Sequence, residues 1–166
     1  MNKKLFLLVA FVLSLGLGFT ACGDDEKEDP AVDYAAQIAG TYNGKLVVDL
    51  GTAGGEQDPI TRDIKIARKA DNSIELSLDN FTFMDMPVGD IKVSTAVSEN
   101  EGVVKLADVT LSEYSLAEGA LKADVKLHQS TVKNGKLILN ISVTKIKLGG
   151  VEGTPDVEVS FTGDKK

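Results

Sequence analysis

The sequence predicts an all-β chain: an eight-stranded antiparallel up-and-down barrel, with a two-sheet β-sandwich as the rival arrangement. Three observations lead there. Apolar and polar residues alternate along eight separate stretches, the period of a strand with one buried face. Short connections join most of these stretches, and such connections favour antiparallel neighbours. No stretch of the body carries the periodicity of a long helix. Eight strands in series leave two bare edges, and rolling the sheet shut removes both.

In chain order, Lys3 and Lys4 precede an apolar run from Leu5 to Phe19, then Thr20-Ala21-Cys22. A positive start, a short apolar core and a small residue before the cut describe a secretory signal. The run is short for a bilayer-spanning helix, which needs ~20 residues. Phe19-Thr20-Ala21-Cys22 resembles the bacterial lipobox, with Phe where Leu is usual. The resemblance implies loss of residues 1–21 as a signal peptide and a diacylglycerol on the Cys22 thiol. An ordinary secreted protein with an incidental Cys is the alternative. Gly23 to Pro30 reads GDDEKEDP, and its low hydropathy and high charge predict a disordered tether. Residues 22–37 therefore read as an acidic tether ending in a short helical turn. A Cys followed by acidic residues also resembles the export signal of Bacteroidetes-type surface lipoproteins. That implies an outer-membrane lipoprotein of the cell envelope, with its outward face as the further expectation.

The body begins with a helical turn at Asp33 to Ala39, then Gly40-Thr41-Tyr42 and a first strand over Lys45 to Leu50. Gly51 to Pro59 is a Gly-rich loop, but no Gly-Lys-Ser/Thr follows, so it is no phosphate loop. The second strand is Ile60 to Lys69. The third is Ile74 to Asn80, with Ile74, Leu76 and Leu78 on one face. Phe81 to Gly89 breaks the alternation, and Pro87 sits badly in a central strand. The fourth strand runs from about Asp90 to Ser98 and the fifth from Val103 to Leu111. Ser112 to Gly119 reads as either a short helix or a loop. The sixth and seventh strands, about Leu121 to Val132 and Lys136 to Leu148, form a hairpin around Asn134-Gly135. Both turn residues tolerate the positive φ that a two-residue hairpin requires. In the seventh strand the apolar phase slips between Val143 and Ile146, which predicts a bulge near Lys145. After a loop at Gly149 to Pro155, an eighth strand carries Val157, Val159 and Phe161.

Composition narrows the function. The 166 residues carry a net charge of −7. Loss of Lys3 and Lys4 with the leader leaves 16 basic against 25 acidic side chains, or −9. That charge repels phosphate backbones, so no nucleic-acid partner is expected. The chain has no Trp, and its one Cys allows neither an internal disulfide nor a cysteine-rich metal cage. His128, the only histidine, is out of phase with Val125 and Leu127 and should face solvent. Sequence places no nucleophile or orienting acid beside it, so the chain reads as a non-enzyme without metal or cofactor. Asn80-Phe81-Thr82 and Asn140-Ile141-Ser142 match a eukaryotic glycan acceptor pattern, which a bacterial lipobox makes irrelevant.

Gly40-Thr41-Tyr42, the Lys133 to Leu137 hairpin and its Leu139-Asn140-Ile141 continuation are similar to the calycin superfamily. More narrowly, they resemble the calycin-like barrel domain of Bacteroidetes lipoproteins, covering residues 38–163 and leaving 164–166 as a polar tail. Lipocalins proper have Gly-x-Trp and a late Arg over the Trp. Here Tyr42 takes the aromatic place and no Arg follows Arg68. The resemblance implies a ligand cavity, not a reaction. Phe81, Phe83, Met84 and Met86 form the densest soft apolar patch, suited either to lining a barrel mouth or to plugging a core. With Tyr42, which reads as core packing or ligand contact, they are the candidate ligand-binding residues. Two functions follow. One is a binder of a small apolar ligand. The other is a structural or interaction module that meets a protein or glycan partner through its barrel-end loops.

Overall fold

The computed structural model describes residues 32–83, 86–153 and 155–166. The leader, Cys22 and the acidic cluster lie outside the described residues. Asp33 to Lys166 forms one compact unit.

A helix α1 (Tyr34–Ile38) is followed by β1 (Gly40–Asp49), β2 (Ile60–Ala70), β3 (Ser73–Phe83), β4 (Met86–Asn100), β5 (Val103–Leu106), β6 (Val109–Leu116), β7 (Leu121–Lys133), β8 (Lys136–Leu148), β9 (Val151–Glu152) and β10 (Val157–Lys165). Each strand pairs antiparallel with its neighbours, and β10 pairs with β1, which shuts the ring. β5 and β6 both pair with β7 and act as one broken stave, so the barrel has eight staves. β9 is an added two-residue strand on β8.

The alternation in the sequence sorts the two faces. Leu46, Val48, Ile64, Ile66, Ile74, Leu76, Leu127, Leu137, Leu139 and Phe161 are buried inside. Thr61, Asp63, Lys65 and their like stand outside. An apolar interior under a charged exterior is the inverse of a membrane-spanning barrel. Burying one such aliphatic side chain is worth about 1.5–3 kcal/mol, so this inward set, rather than strand propensity, holds the cylinder together.

Closure requires a close approach. Gly44 faces Gly163 across β1 and β10. A Cβ on Gly44 would lie 2.1 Å from the Thr162 carbonyl oxygen, and the Phe161 ring lies over Gly163. Glycine is needed at both places because a ring and a backbone occupy the room a methyl would take.

One pole is sealed. The five residues of α1 are too few to hold a helix alone. Asp33 caps it by accepting from the Ala36 N–H (3.2 Å) and also accepts from the Asn72 N–H (3.3 Å). The Tyr34 N–H donates to Asn72 Oδ1 (2.9 Å), and its hydroxyl donates to Glu99 (3.3 Å). Arg68 pairs with Asp33. Ala35 and Ile38 are thereby pressed onto the barrel end.

Several strand limits differ from the sequence reading. β3 and β4 run through the stretch that breaks alternation. Their register slips between Leu78 and Phe81 and again between Phe81 and Thr82, and bulges hide a period of two. Pro87 is accommodated at that irregularity, on a part of β4 with no ladder on its other side. The fifth strand breaks after Leu106, and Ser112 to Leu116, read as helix or loop, is strand. The residues read as a polar tail extend the closing ladder instead: β10 continues to Lys165, and the Lys166 N–H donates to Thr41 (2.9 Å). The bulge predicted near Lys145 is present, with Lys145 at φ 50°.

Three other bulges share one device. Asn80, Glu113 and Gln129 have φ near 50°, and each donates its freed N–H to an aspartate on a neighbouring segment: Asp90, Asp124 and Asp108. A carboxylate accepts what the interrupted ladder cannot.

The ladder is also interrupted at two slots. Pairing of β2 with β3 stops at Lys65 and Ser77. Among the described residues β6 pairs with β7 alone, and the first half of β4 has no strand on that side.

Candidate ligand-binding cavity

Among the described residues, the side chains of the inner half of the barrel away from α1 leave a space. β1 brings Leu46 and Val48 to this region, β8 brings Leu139, Ile141, Val143 and Ile146, and β10 brings Val157, Val159 and Phe161. Ile64 of β2, Leu76, Ser77, Leu78 and Phe81 of β3, Val88, Ile91 and Val93 of β4, and Leu116, Leu121, Val125 and Leu127 complete the wall. The cavity volume is about 180 Å³. Ser77 alone of the lining residues has a polar side chain. An apolar cavity of ~150 Å³ stays dry and takes up benzene, so this one has room for one small apolar molecule.

Bulges shape the space. At Asn80 and at Ser112–Glu113 the chain gains a residue, so Phe81 and Leu116 return to the inner face. The β8 bulge does the same for Ile146. The lining residues that are only partly buried, among them Val88, Leu121, Val143 and Val157, lie at the pole opposite α1. There the cavity approaches solvent, and Leu148 and Val151 stand exposed on the adjoining β8–β9 turn.

Charge is confined to the outer wall. Lys65 pairs with Asp79 (2.5 Å), Lys145 with Asp124 (2.8 Å) and Lys147 with Glu113 (2.7 Å). The Lys65 ammonium holds the Asp79 carboxyl below its usual range, and Lys147 does the same to Glu113. Two outer recesses of about 250 and 420 Å³ carry these pairs. Their acids are already matched by lysines, so neither recess offers an unpaired carboxylate to a ligand. His128 is on the outer face and half-buried, with Nε2 2.9 Å from the Ser142 hydroxyl. Ser142 also donates to Glu158 (2.9 Å). Glu158 Oε2 also lies 3.8 Å from that same Nε2, so the serine and the carboxylate share one ring nitrogen. Among the described residues no group of three acids, histidines or cysteines could hold a metal.

Of the candidate ligand contacts, Phe81 lines the cavity. Tyr42 is fully buried towards the sealed pole, where its hydroxyl donates to the Ile38 carbonyl (2.7 Å). It is absent from the cavity wall, and burial pushes its pKa up. Met84 lies outside the described residues, and only the backbone of Phe83 and Met86 is described. Sequence reasoning missed Tyr114, whose hydroxyl meets the backbone of Lys92. The available signal was the phase slip from Val109 and Leu111 to Tyr114 and Leu116.

Fold and cavity together define a closed β-barrel with an apolar internal chamber. The family model of the calycin-like beta-barrel domain matches residues 38–164, and the chain belongs to that family. Among solved structures, it is similar to a presumed outer membrane protein of Bacteroides fragilis NCTC 9343. Identity is 20% and the TM-score 0.60, over 80% of this chain and 53% of the other, so this chain spans about half that protein's length. A redesigned β-barrel is 9% identical with a TM-score of 0.49, covering 82% of this chain and 97% of its own. No curated protein matches.

Proposed function

We propose that this protein is a cell-envelope lipoprotein, held by acyl chains on Cys22, whose barrel binds one small apolar molecule. The observation that carries the binding reading is the cavity: about 180 Å³, walled almost wholly by aliphatic and aromatic carbon. A barrel selected only for stability gains by filling such a space, since residual voids are destabilising. The absence of charge in the wall favours an uncharged ligand, or one whose polar end stays at the open pole. The envelope address rests on the lipobox resemblance at Cys22, and the name of the Bacteroides fragilis neighbour is in keeping with it.

Indole is a suitable probe. The chain has no Trp, so indole emission is read without interference from tryptophan. Titration should give a saturable blue-shifted signal, and indole should raise the melting temperature. Failure of indole, benzene and naphthalene to bind saturably up to their solubility limits would sink the binder reading. For the anchor, palmitate label should enter the wild type and not Cys22→Ser; label persisting in the variant contradicts it.

Exposure of Leu148 and Val151 at the cavity pole favours a second reading, contact with a partner protein through that rim. Loss of a pull-down partner in Leu148→Ser/Val151→Ser, with indole binding intact, would favour it.

A further inference from the structure

The wall between β4 and β6 is a slot rather than a ladder. β4 is laddered to β5 only from Val97 to Asn100. Just below, the Ala107 N–H donates to the Ala96 carbonyl (2.9 Å), and the Thr95 hydroxyl donates to the Ala107 carbonyl (2.8 Å). Further towards the cavity pole, the hydrogen-bonded bridge between the two strands among the described residues is Tyr114. Its hydroxyl accepts from the Lys92 N–H (3.1 Å) and donates to the Lys92 carbonyl (3.3 Å). One phenol oxygen thus replaces the backbone partners that a neighbouring strand would supply. Behind this bridge lie Val88, Ile91, Val93 and Leu116, all cavity wall.

We infer that the slot is a side portal to the cavity and that Tyr114 is its latch; this rests on the apolar-binder reading. The backbone of Tyr114 is fixed by its pairing with Ala123, so opening needs only side-chain rotation. Rotamer changes of partly exposed side chains are fast, and water replaces the two hydrogen bonds during opening. The β2–β3 slot is a poor route for the same ligand. The Arg62 guanidinium crosses it to the Thr82 hydroxyl (3.4 Å), and the Lys65–Asp79 pair flanks it. An apolar molecule passing there would strip water from charges and return no hydrogen bond. The β4–β6 slot is bridged by a neutral ring.

Stopped-flow indole uptake and release test the latch in the wild type, Tyr114→Phe and Arg62→Met. A latch changes the barrier and leaves bound and free states alone. Tyr114→Phe should therefore raise association and dissociation rates by the same factor, roughly five- to tenfold, with Kd unchanged. Arg62→Met should leave both rates as in the wild type. Wild-type rates in Tyr114→Phe place access at the pole and overturn the portal. A Kd change carried by dissociation alone makes Tyr114 a ligand contact and also overturns it. A wild type that takes up no indole overturns the binder reading and the portal with it. Should Tyr114→Phe not fold, amide exchange in the wild type decides. The Lys92 amide should exchange far faster than the β7–β8 hairpin amides, and equal protection overturns the latch.

Discussion

Adding one methyl group at Gly44 should damage the barrel more than adding one at Gly163, although the two glycines face each other. At Gly44 the new Cβ would lie 2.1 Å from the Thr162 oxygen and 2.3 Å from the Gly163 Cα. Both obstacles are backbone, so β1 and β10 must separate where the ring closes. Overpacking ordinarily costs about 1–3 kcal/mol, and rigid obstacles put Gly44→Ala at about 3 kcal/mol or more. At Gly163 the nearest obstacles are the Phe161 ring atoms Cζ (2.5 Å) and Cε1 (2.7 Å). That ring borders the cavity and can swing into it, leaving the Asn43 oxygen at 2.8 Å as the residual clash. Gly163→Ala should therefore cost about 1–2 kcal/mol. Because the displaced ring takes up ligand space, indole should bind more weakly to Gly163→Ala. Urea unfolding followed by circular dichroism measures both costs, provided m is unchanged. A Gly44→Ala cost below about 1 kcal/mol, or a larger cost at Gly163, would refute the geometry of closure.

Two other outcomes follow from single hydrogen bonds and ion pairs. Tyr42→Phe leaves the Ile38 carbonyl without its hydroxyl donor and should cost about 1–2 kcal/mol in urea unfolding; a neutral result contradicts the buried bond. Asp124 is held below its usual pKa first by the Lys145 ammonium and then by the Glu113 N–H. A depressed folded-state pKa gives stability that is present above the unfolded value, near 3.8, and lost as pH falls through the folded one. Asp124→Asn should therefore be less stable than wild type at about pH 7, with the gap starting to narrow as pH falls below about 3.8 and vanishing only below the folded-state value. A gap that persists in acid contradicts the electrostatic origin.

Where local chemistry dictates structure, the sequence was readable. Asn134 and Gly135 adopt φ of 50° and 75°, as a two-residue turn between twisted strands demands. The slip from Val143 to Ile146 marked a bulge because a buried face cannot change parity without one. Slips at Leu78 to Phe81 and Leu111 to Tyr114 carry the same mark, but Pro87 and the polar Ser112-Glu113 pair masked it as loop. The cavity was not readable. Its volume depends on how eight staves pack at once, and no single stretch encodes the distance across a ring. Phe81 could be singled out as soft and apolar, yet lining a void and plugging it ask for the same residue type. Tyr42 illustrates the converse. Its aromatic character was plain, but its hydroxyl partner Ile38 depends on a helix held in place by Asp33 and Asn72.

The stoppered pole has a practical corollary. Asp33 and Lys166 both emerge beside α1, since the Lys166 amide binds Thr41 while Asp33 caps the helix. Whatever is fused to, or grips, either end of this domain takes it by its base. On the proposal that the chamber takes up an apolar guest, immobilising residues 33–166 through either end should leave that uptake unchanged.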